Sequence, residues 1–162
     1  MSADTDPASR PRGLLRSPNY ALGQLNRCIR AQLEAALEQQ GHSLRMHGAL
    51  VGLAERDGVS QQQLADGLAM DRSDMVKLVD RLEALELVVR ERDTADRRRH
   101  LLSITPAGRT AMREGEETIR RVTRSALASL SPAELATLHR LTLKALGEPT
   151  DIAEEVDWAL QP

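Results

Sequence analysis

Charged side chains with the chemistry of nucleic-acid binding are concentrated in one short stretch of the sequence. Asp96 is followed directly by Arg97, Arg98 and Arg99. A guanidinium group presents several donors in a fixed fork, and a narrow DNA minor groove attracts arginine through its negative potential. Asp96 is placed to hold one of these arginines in a bidentate pair. The alternative is that the charges only protect the edges of a β-hairpin from aggregation.

A second set of polar residues shares one face of a predicted helix that begins after Asp71. Ser73, Lys77 and Arg81 are spaced by four, whereas apolar residues occupy the other half of the helical wheel. Such a helix can enter the DNA major groove, where side chains near its N-terminus reach base edges and basic residues meet phosphates. The alternative is an ordinary solvated helix face. The apolar positions, which we expect to face inward, are Met75, Val76, Leu78, Val79, Leu82 and Leu85.

Capped helices in close succession predict a helix-turn-helix. After a helix that starts at Ser43, Ser60 forms a capping box with Gln63, and Asp71 with Asp74 starts the next helix in the same way. Only a few residues separate the last two helices, a spacing typical of a helix-turn-helix and also of a plain helical hairpin. The predicted DNA contacts on these two helices are Ser60, Gln61, Gln62, Arg72, Ser73, Asp74, Lys77 and Arg81.

The helical pattern is interrupted once, by a predicted β-hairpin. Residues 88–92 and 100–105 are predicted as strands, with a turn at 93–97 between them. Leu102 and Ile104 alternate with polar neighbours, as expected for a half-buried strand. The arginine cluster then lies at or just beyond the tip of this hairpin. A basic hairpin directly after such a helix favours DNA binding.

Long amphipathic helices flank this segment on both sides. They cover residues 17–41 and, as two helices, residues 106–147. A proline directly after Ser17, Thr105 and Ser131 marks the three helix starts. We expect the terminal helices of two chains to pack together in a C₂ dimer, the alternative being a monomeric three-helix bundle.

Length and composition limit the class of protein. The chain has 162 residues, of which 41% are hydrophobic and 28% charged, close to the averages of soluble globular proteins. Aromatic residues make up only 1%, which favours packed helices over a β-sandwich. There is no apolar run of membrane-spanning length and no secretion-signal pattern, so we expect a cytoplasmic protein with no membrane partner.

Enzymatic function has no support in the sequence. It contains no glycine-rich phosphate loop, no Gly-x-Ser-x-Gly elbow and no Cys-x-x-Cys or His-x-x-x-His spacing. We therefore expect no catalytic residue, no metal and no cofactor. The single Cys28 excludes an intrachain disulfide, and its place in an apolar helix stripe predicts a buried, inert thiol, an oxidant sensor being the alternative.

The two ends of the chain differ in charge from its centre. Residues 1–16 contain two prolines and three arginines and are predicted as a flexible arm. Residues 148–162 contain five acidic residues and no basic one, which helps to hide a basic surface within the net charge of −2. This acidic tail is either solvated or docked through Ile152, Val156 and Trp158.

From residue 60 to residue 108 the sequence resembles the winged-helix regulators of the MarR (multiple antibiotic resistance) type. The most specific part is the wing, with Asp-x-Arg at Asp96 to Arg98 and Thr-Pro-x-Gly from Thr105 to Gly108. The order of the flanking helices extends the resemblance over residues 17–147. The other matching residues are Leu64-Ala65, Leu78-Val79-Asp80-Arg81-Leu82-Glu83, Leu87-Val88, Arg90, Leu102 and Ile104.

Two residues depart from the family pattern. Glu86 stands where the family usually has a glycine at the end of the recognition helix, so that end must close without the residue best suited to a left-handed conformation. Asp74 lies near the proposed reading surface and would repel phosphate, so it either accepts a hydrogen bond from cytosine N4 or turns aside. Both departures bear on which DNA sequence is bound more than on the fold.

The resemblance implies a mostly α fold with a small β-hairpin wing: a winged helix-turn-helix with long N- and C-terminal dimerisation helices. By it, the Asp71 helix is the recognition helix and Arg98 the minor-groove contact. The implied function is a dimeric transcriptional regulator on a pseudo-palindromic operator in double-stranded DNA, a repressor relieved by a small molecule. The alternative is a helical dimer that acts through protein contacts without specific DNA binding. The implied domains are an arm (1–16), a dimerisation helix (17–41), a DNA-binding lobe (42–105), C-terminal dimerisation helices (106–147) and the tail (148–162).

Regulators of this kind often bind small anions or phenolic compounds in a crevice beside the DNA-binding lobe. The candidate lining residues here are Tyr20, His42, Arg45 and His47. A surface or structural role is the alternative for each. His42 and His47 are five residues apart, which does not suit one helical face and argues against a metal site.

Overall fold

Side-chain caps set the start of most helices. The computed structural model describes residues 11–56, 58–92, 100–156 and 158. Ser43 Oγ accepts from the amide of Met46, and Ser60 and Ser131 each form the predicted capping box. In chain order the elements are α1 (Arg12–Leu15), α2 (Pro18–Glu38), α3 (Leu44–Glu55), β1 (Val59–Ser60), α4 (Gln61–Gly67), α5 (Arg72–Ala84), β2 (Val88–Arg92), β3 (His100–Ile104), α6 (Pro106–Ala126), α7 (Pro132–Leu146) and a 3₁₀ turn (Asp151–Glu154).

The chain divides into two compact units, which we call the central unit and the terminal unit. The central unit contains residues 33–121, and the terminal unit contains residues 1–32 and 122–162. None of the described helices in either unit has the length and apolar character needed to cross a bilayer.

The core of the central unit consists of aliphatic and methionine side chains. Helices α3, α4 and α5 bury their apolar faces against one another and against β2 and β3. This agrees with the composition, because a chain with 1% aromatic residues must fill its core with smaller apolar groups. The largest fully buried side chains are Leu37, Leu50, Leu53, Met75, Val79, Leu82, Val88 and Leu102.

A three-stranded antiparallel sheet lies next to these helices. The predicted hairpin is confirmed: β2 pairs with β3 from Val88 opposite Ile104 to Arg92 opposite His100. Leu102 and Ile104 are buried, as their alternation predicts. The sequence did not indicate β1, whose two residues pair with the other edge of β3, giving the order β1-β3-β2. A two-residue strand is too short to leave a periodic signal.

The terminal unit includes the docked end of the chain. Leu127, Leu135 and Ala153 are buried, and the 3₁₀ turn packs against α7. The His139 and Trp158 rings meet edge to face with centroids 6.0 Å apart. The described part of the acidic tail is therefore docked, through Ala153 and Trp158. Ile152, predicted to dock, is 43% exposed instead.

Helix ends and arm differ from the sequence expectations in detail. Residues 12–15, expected within a flexible arm, form one turn of helix whose side chains are all exposed. The helix predicted to reach Gly41 ends at Glu38 instead. Gly41 adopts φ +73°, and the His42 amide donates to the Leu37 carbonyl (3.0 Å), which closes the helix with a left-handed residue.

Three side chains predicted to be buried are exposed. Cys28 is exposed on α2, where the half-buried Ile29 lies one residue, or about 100°, further round the helix. Val76 is 39% exposed, because the buried stripe of α5 is narrower than half of the wheel. Leu85 is 43% exposed, because it caps the end of α5 rather than belonging to its body.

Candidate nucleic-acid interface

The N-terminus of α5 is built around the Asp71 carboxylate. Its Oδ1 accepts from the amides of Ser73 and Asp74, both at 2.9 Å, and from Ser73 Oγ at 2.8 Å. The amide of Asp74 first, and then the Ser73 hydroxyl, hold the pKa of Asp71 below its usual range, which keeps the cap ionised. The Ser73 hydroxyl proton is therefore already engaged within the chain.

Asp74 is turned towards α3. Its Oδ2 lies 3.1 Å from Arg45 Nη1, and its Oδ1 lies 4.0 Å from Lys77 Nζ. Of the two predicted alternatives for Asp74, a hydrogen bond from cytosine or a side chain turned away from the reading surface, the structure shows the second. The pair also connects the start of α3 to the start of α5, and it offsets the negative charge that phosphates would otherwise meet.

The outward face of α5 carries the predicted polar row. Ser73, Lys77 and Arg81 are all exposed, and the Lys77 side chain is 79% exposed. Opposite them, Met75, Leu78, Val79 and Leu82 are buried in the core, which fixes the helix so that its polar face points to solvent. The remaining exposed residues of this face are Arg72, Val76, Asp80 and Ala84.

Arg90 ties the wing strand β2 to α5. Its Nη2 lies 2.6 Å from Asp80 Oδ1 and its Nη1 lies 2.7 Å from Glu83 Oε2. Both carboxylates lie on α5, three residues apart, so one guanidinium fork spans almost one turn of the helix. This arrangement fixes the direction in which the hairpin leaves the helix.

The end of α5 closes through Glu86, the residue that replaces the family glycine. Glu86 adopts φ +59°; its amide donates to the Glu83 carbonyl at 2.8 Å, and the Leu87 amide donates to the Leu82 carbonyl at 2.9 Å. Together these bonds form a Schellman motif without glycine. Glu86 thus takes up the left-handed conformation itself and carries its steric cost.

Thr105 and Gly108 join the start of α6 to this turn. Thr105 Oγ1 donates to the Glu86 carbonyl (2.8 Å) and accepts from the Gly108 amide (2.9 Å), and the Thr105 amide donates to the Leu87 carbonyl (3.0 Å). A Cβ on Gly108 would overlap the Leu87 carbonyl oxygen and crowd Ile104. The glycine is therefore needed for the close approach of the two backbones.

The candidate contacts on α4 have intrachain partners at two positions. Ser60 is the helix cap: its Oγ accepts from Gln63, and its amide donates to Gln63 Oε1. Gln62 Nε2 donates to Asp66 Oδ1 at 2.7 Å, and Gln61 is half-buried. These residues lie at the start of the first helix of the helix-turn-helix.

The tip of the hairpin lies outside the described residues. Asp96, Arg97, Arg98 and Arg99 all fall within residues 93–99, so the structure gives no geometry for them. The last described pair on either side is Arg92 with His100. The assignment of the arginine cluster thus stays a prediction from the sequence.

A cavity of about 570 Å³ lies beside the start of α5. His42 and Arg45, two of the four candidate ligand contacts, line it, whereas His47 and Tyr20 are not among its lining residues. Tyr20 belongs to the terminal unit. Among the described residues, no group of three acidic, histidine or cysteine side chains is arranged to hold a metal. The other residues that line the cavity are Glu34, Glu38, Gly41, Ser43, Met46, Met70, Asp74, Lys77, Leu78 and Arg81.

His47 extends from α3 towards Gly115 of α6 instead. A Cβ on Gly115 would lie 2.8 Å from its Nδ1, so the absence of a side chain there makes room for the imidazole. Nδ1 is buried without a hydrogen-bond partner. Burial lowers the pKa of His47 below its usual value, against the opposing field of Glu116.

Two features of the interface were missed in the sequence. The bridge from Arg90 to α5 joins residues ten and seven apart, a spacing that gives no local signal across a turn. The exposure of Val76 was also missed. Val76 follows the buried Met75 directly, so it is rotated by about 100° round the helix, which takes it towards the edge of the buried face.

Comparison with known proteins gives consistent matches. The sequence profile of the MarR family matches residues 31–99. A protein from Thauera aromatica, described as a transcriptional regulatory protein for the hcr operon, is 38% identical over 99 residues, or 61% of this chain. The matched region spans about 60% of that protein's length.

Two solved structures extend the match over most of the chain. A protein from Pseudomonas aeruginosa, described as a transcriptional regulator, has 33% identity and a TM-score of 0.69, covering 82% of this chain and 98% of its own. CouR from Rhodococcus jostii, solved with p-coumaroyl-CoA bound, has 27% identity and a TM-score of 0.69, covering 86% of this chain and 97% of its own. Since the profile matches the helix-turn-helix and the first strand of the hairpin, and the Pseudomonas aeruginosa relative aligns over nearly its whole length, the chain belongs to the MarR family of transcriptional regulators.

Proposed function

We propose that the chain regulates transcription by binding a specific duplex DNA with α5 in the major groove and the β2–β3 hairpin beside it. The observation that carries this proposal is the anchoring of α5. Its buried face is fixed in the core, its start is tied to α3 through Arg45 and its end to β2 through Arg90. A helix held in this way presents one constant face to a partner.

The charges on that face suit DNA. Arg72, Lys77 and Arg81 are exposed cations, whereas the acidic Asp74 and Asp80 are each paired with an arginine. Cations of this kind bind phosphates and release condensed counterions. The sequence adds Arg98 as the proposed minor-groove contact, with Asp96 beside it.

We further propose that the active form is a homodimer that binds a pseudo-palindromic operator. Six of the nine large hydrophobic side chains exposed among the described residues belong to the terminal unit. Leu22, Leu141 and Leu146 among them lie within residues 17–41 and 106–147, which supports these ranges as the dimerisation helices, with residues 42–105 as the DNA-binding lobe. The six side chains are Leu14, Leu15, Leu22, Leu141, Leu146 and Ile152.

The proposed mode of regulation is repression relieved by a small ligand. The cavity beside α5 has the size of a small-molecule site, and its lining offers both cations (Arg45, Lys77, Arg81) and carboxylates (Glu34, Glu38, Asp74) to a polar ligand. CouR, with 27% identity, was solved with p-coumaroyl-CoA bound, which supports a ligand-responsive role here. We propose no enzymatic activity, and we place the protein in the cytoplasm because its DNA target lies there.

Gel-shift titration tests the DNA proposal. The protein is titrated against the duplex directly upstream of its own gene and against a random duplex of equal length, each at several salt concentrations. We expect tighter binding to the upstream duplex that weakens steeply with salt. Equal affinity for both duplexes at every salt concentration would instead support action through protein contacts.

Sedimentation velocity tests the dimer. We expect one species with twice the chain mass at micromolar concentration. Replacing Leu141 by glutamate should shift it towards the monomer, because a charge in the proposed apolar contact is costly to bury. Replacing the exposed Lys144 by glutamate on the same helix serves as the control. A monomer for the unmodified chain would overturn the dimer proposal.

A further inference from the structure

An apolar side chain interrupts the polar outward face of α5. Val76 is 39% exposed, and it lies three residues after Ser73 and four before Asp80, both exposed on the same face. It belongs to the second turn of the helix, next to Lys77. A single exposed valine is ordinary on a protein surface. This one lies where a recognition helix meets base edges.

Three polar neighbours of Val76, unlike the exposed cations Arg72 and Lys77, have hydrogen-bonding atoms engaged within the chain. The Ser73 hydroxyl donates to Asp71, and Asp74 pairs with Arg45. Asp80 Oδ1 pairs with Arg90 at 2.6 Å. The Ser73 hydroxyl proton and the paired oxygens of Asp74 and Asp80 would have to leave these partners before they could bond to a base. An apolar contact requires no such rearrangement.

The major groove offers one apolar group to such a side chain. Thymine presents its C5-methyl there, whereas the groove edges of the other three bases carry hydrogen-bonding atoms and no methyl group. Valine suits this contact because branching at Cβ restricts it to few rotamers, so that little side-chain entropy is lost on binding. Its two methyl groups present a small, stiff apolar surface.

We propose that Val76 packs against the C5-methyl of a thymine and thereby specifies one A·T pair in each half of the operator. The proposal rests on the proposed DNA-binding function of α5. It assigns a specificity-determining role to a side chain that the amphipathic pattern had placed in the core. Two half-sites in a dimer give two such thymines, related by the dyad.

Replacement of thymine by deoxyuridine tests the contact, because it removes only the methyl group and leaves base pairing intact. The full-length protein first selects duplexes from a random pool, and each thymine of the selected duplex is then replaced by deoxyuridine in turn. At one position per half-site we expect binding to weaken about fourfold, and about fifteenfold when both are replaced, from about 0.8 kcal/mol per buried methyl. In the Val76→Ala protein, the same replacements should change affinity less than about twofold, because the methyl group then meets little apolar surface.

Leu85→Ala is the matched control, since Leu85 is similarly exposed but lies at the C-cap of α5, nine residues, or about 13 Å, further along the axis. This variant should keep the response of the unmodified protein to deoxyuridine. The contact is overturned if a selected duplex binds specifically but no position responds, or if Val76→Ala responds as strongly as the unmodified protein. Failure to select any duplex would overturn the DNA-binding function itself, and this contact with it.

Discussion

Arg90 Nη2 lies 2.6 Å from Asp80 Oδ1, which joins the wing strand to the outward face of the proposed recognition helix. The second contact of Arg90, 2.7 Å to Glu83 Oε2, completes a fork that one guanidinium makes to two carboxylates. The Arg90 side chain is only 27% exposed, so solvent screens these pairs less than ordinary surface pairs. Helix and hairpin therefore have a fixed relation within the central unit.

Replacing Arg90 by lysine should separate charge from geometry. Lysine keeps the positive charge, but it is a point charge that does not bridge both carboxylates in one plane. We expect a loss of about 1 kcal/mol in unfolding free energy and weaker binding to the operator, measured by urea unfolding and by gel shift. Arg92→Lys, on the same strand and exposed, is the control. An Arg90→Lys protein with unaltered affinity would show that the bridge does not orient the wing.

Glycine at position 86 should stabilise the protein. Glu86 adopts φ +59°, a conformation that costs an L-residue about 1–2 kcal/mol and that glycine adopts without this strain. Part of the gain in stability is lost, because glycine also raises the conformational entropy of the unfolded chain. We expect Glu86→Gly to gain roughly 0.5–1 kcal/mol, or about 1–4 °C in Tm. Calorimetry on Glu86→Ala provides the comparison, since alanine removes the charge but keeps the strain. An equal gain in both variants would point to the charge rather than to the backbone.

Alanine at position 108 should be strongly destabilising. Its Cβ would overlap the Leu87 carbonyl, which is backbone and cannot turn away. We expect Gly108→Ala to cost about 3 kcal/mol in urea unfolding. Gly67→Ala on α4, whose Cβ would meet nothing within 4 Å, should be neutral or slightly stabilising. Similar stabilities for the two variants would contradict the close backbone approach.

Stability should depend on pH through His47. Burial lowers the pKa of His47 in the folded state. As pH decreases below about 6.5, His47 is protonated in the unfolded chain before it is protonated in the folded one, and this stabilises the unfolded state relative to the folded state. The stability of the folded state is thus complete above this range and declines below it. In His47→Leu the decline in unfolding free energy across this range, measured by urea unfolding at a series of pH values, should be shallower. Identical slopes for both proteins would place the acid sensitivity in other groups.

Much of the fold follows from signals that are local in the sequence. Capping boxes at Ser60 and Ser131 located two helix starts, and alternation at Leu102 and Ile104 located a strand. What the sequence did not reveal depends on contacts between distant segments. Glu86, in its left-handed conformation, accepts a hydrogen bond from the Thr105 hydroxyl. This contact joins residues 19 apart, so the sequence around Glu86 alone could not predict it.

The candidate site was predictable only in part for the same reason. The spacing of Ser73, Lys77 and Arg81 placed them on one exposed face, as the structure has them. The partner of Asp74 was not predictable, because Arg45 lies 29 residues earlier in the chain. From the sequence, Asp74 either accepts a hydrogen bond from cytosine N4 or turns away from the DNA. In the structure α3 packs beside α5, and Asp74 turns towards Arg45 on α3.

The salt dependence of operator binding by Lys77→Ala tests the account most directly. Lys77 is the most exposed of the side chains in ion pairs on α5, and it lies in the middle of the face proposed to meet DNA. We predict weaker binding, and a slope of log affinity against log salt that is smaller in magnitude by about one for each phosphate that Lys77 no longer neutralises. Lys144→Ala, the same substitution on α7, should leave the slope unchanged. A Lys77→Ala protein with the affinity and slope of the unmodified chain would contradict the placement of α5 on DNA.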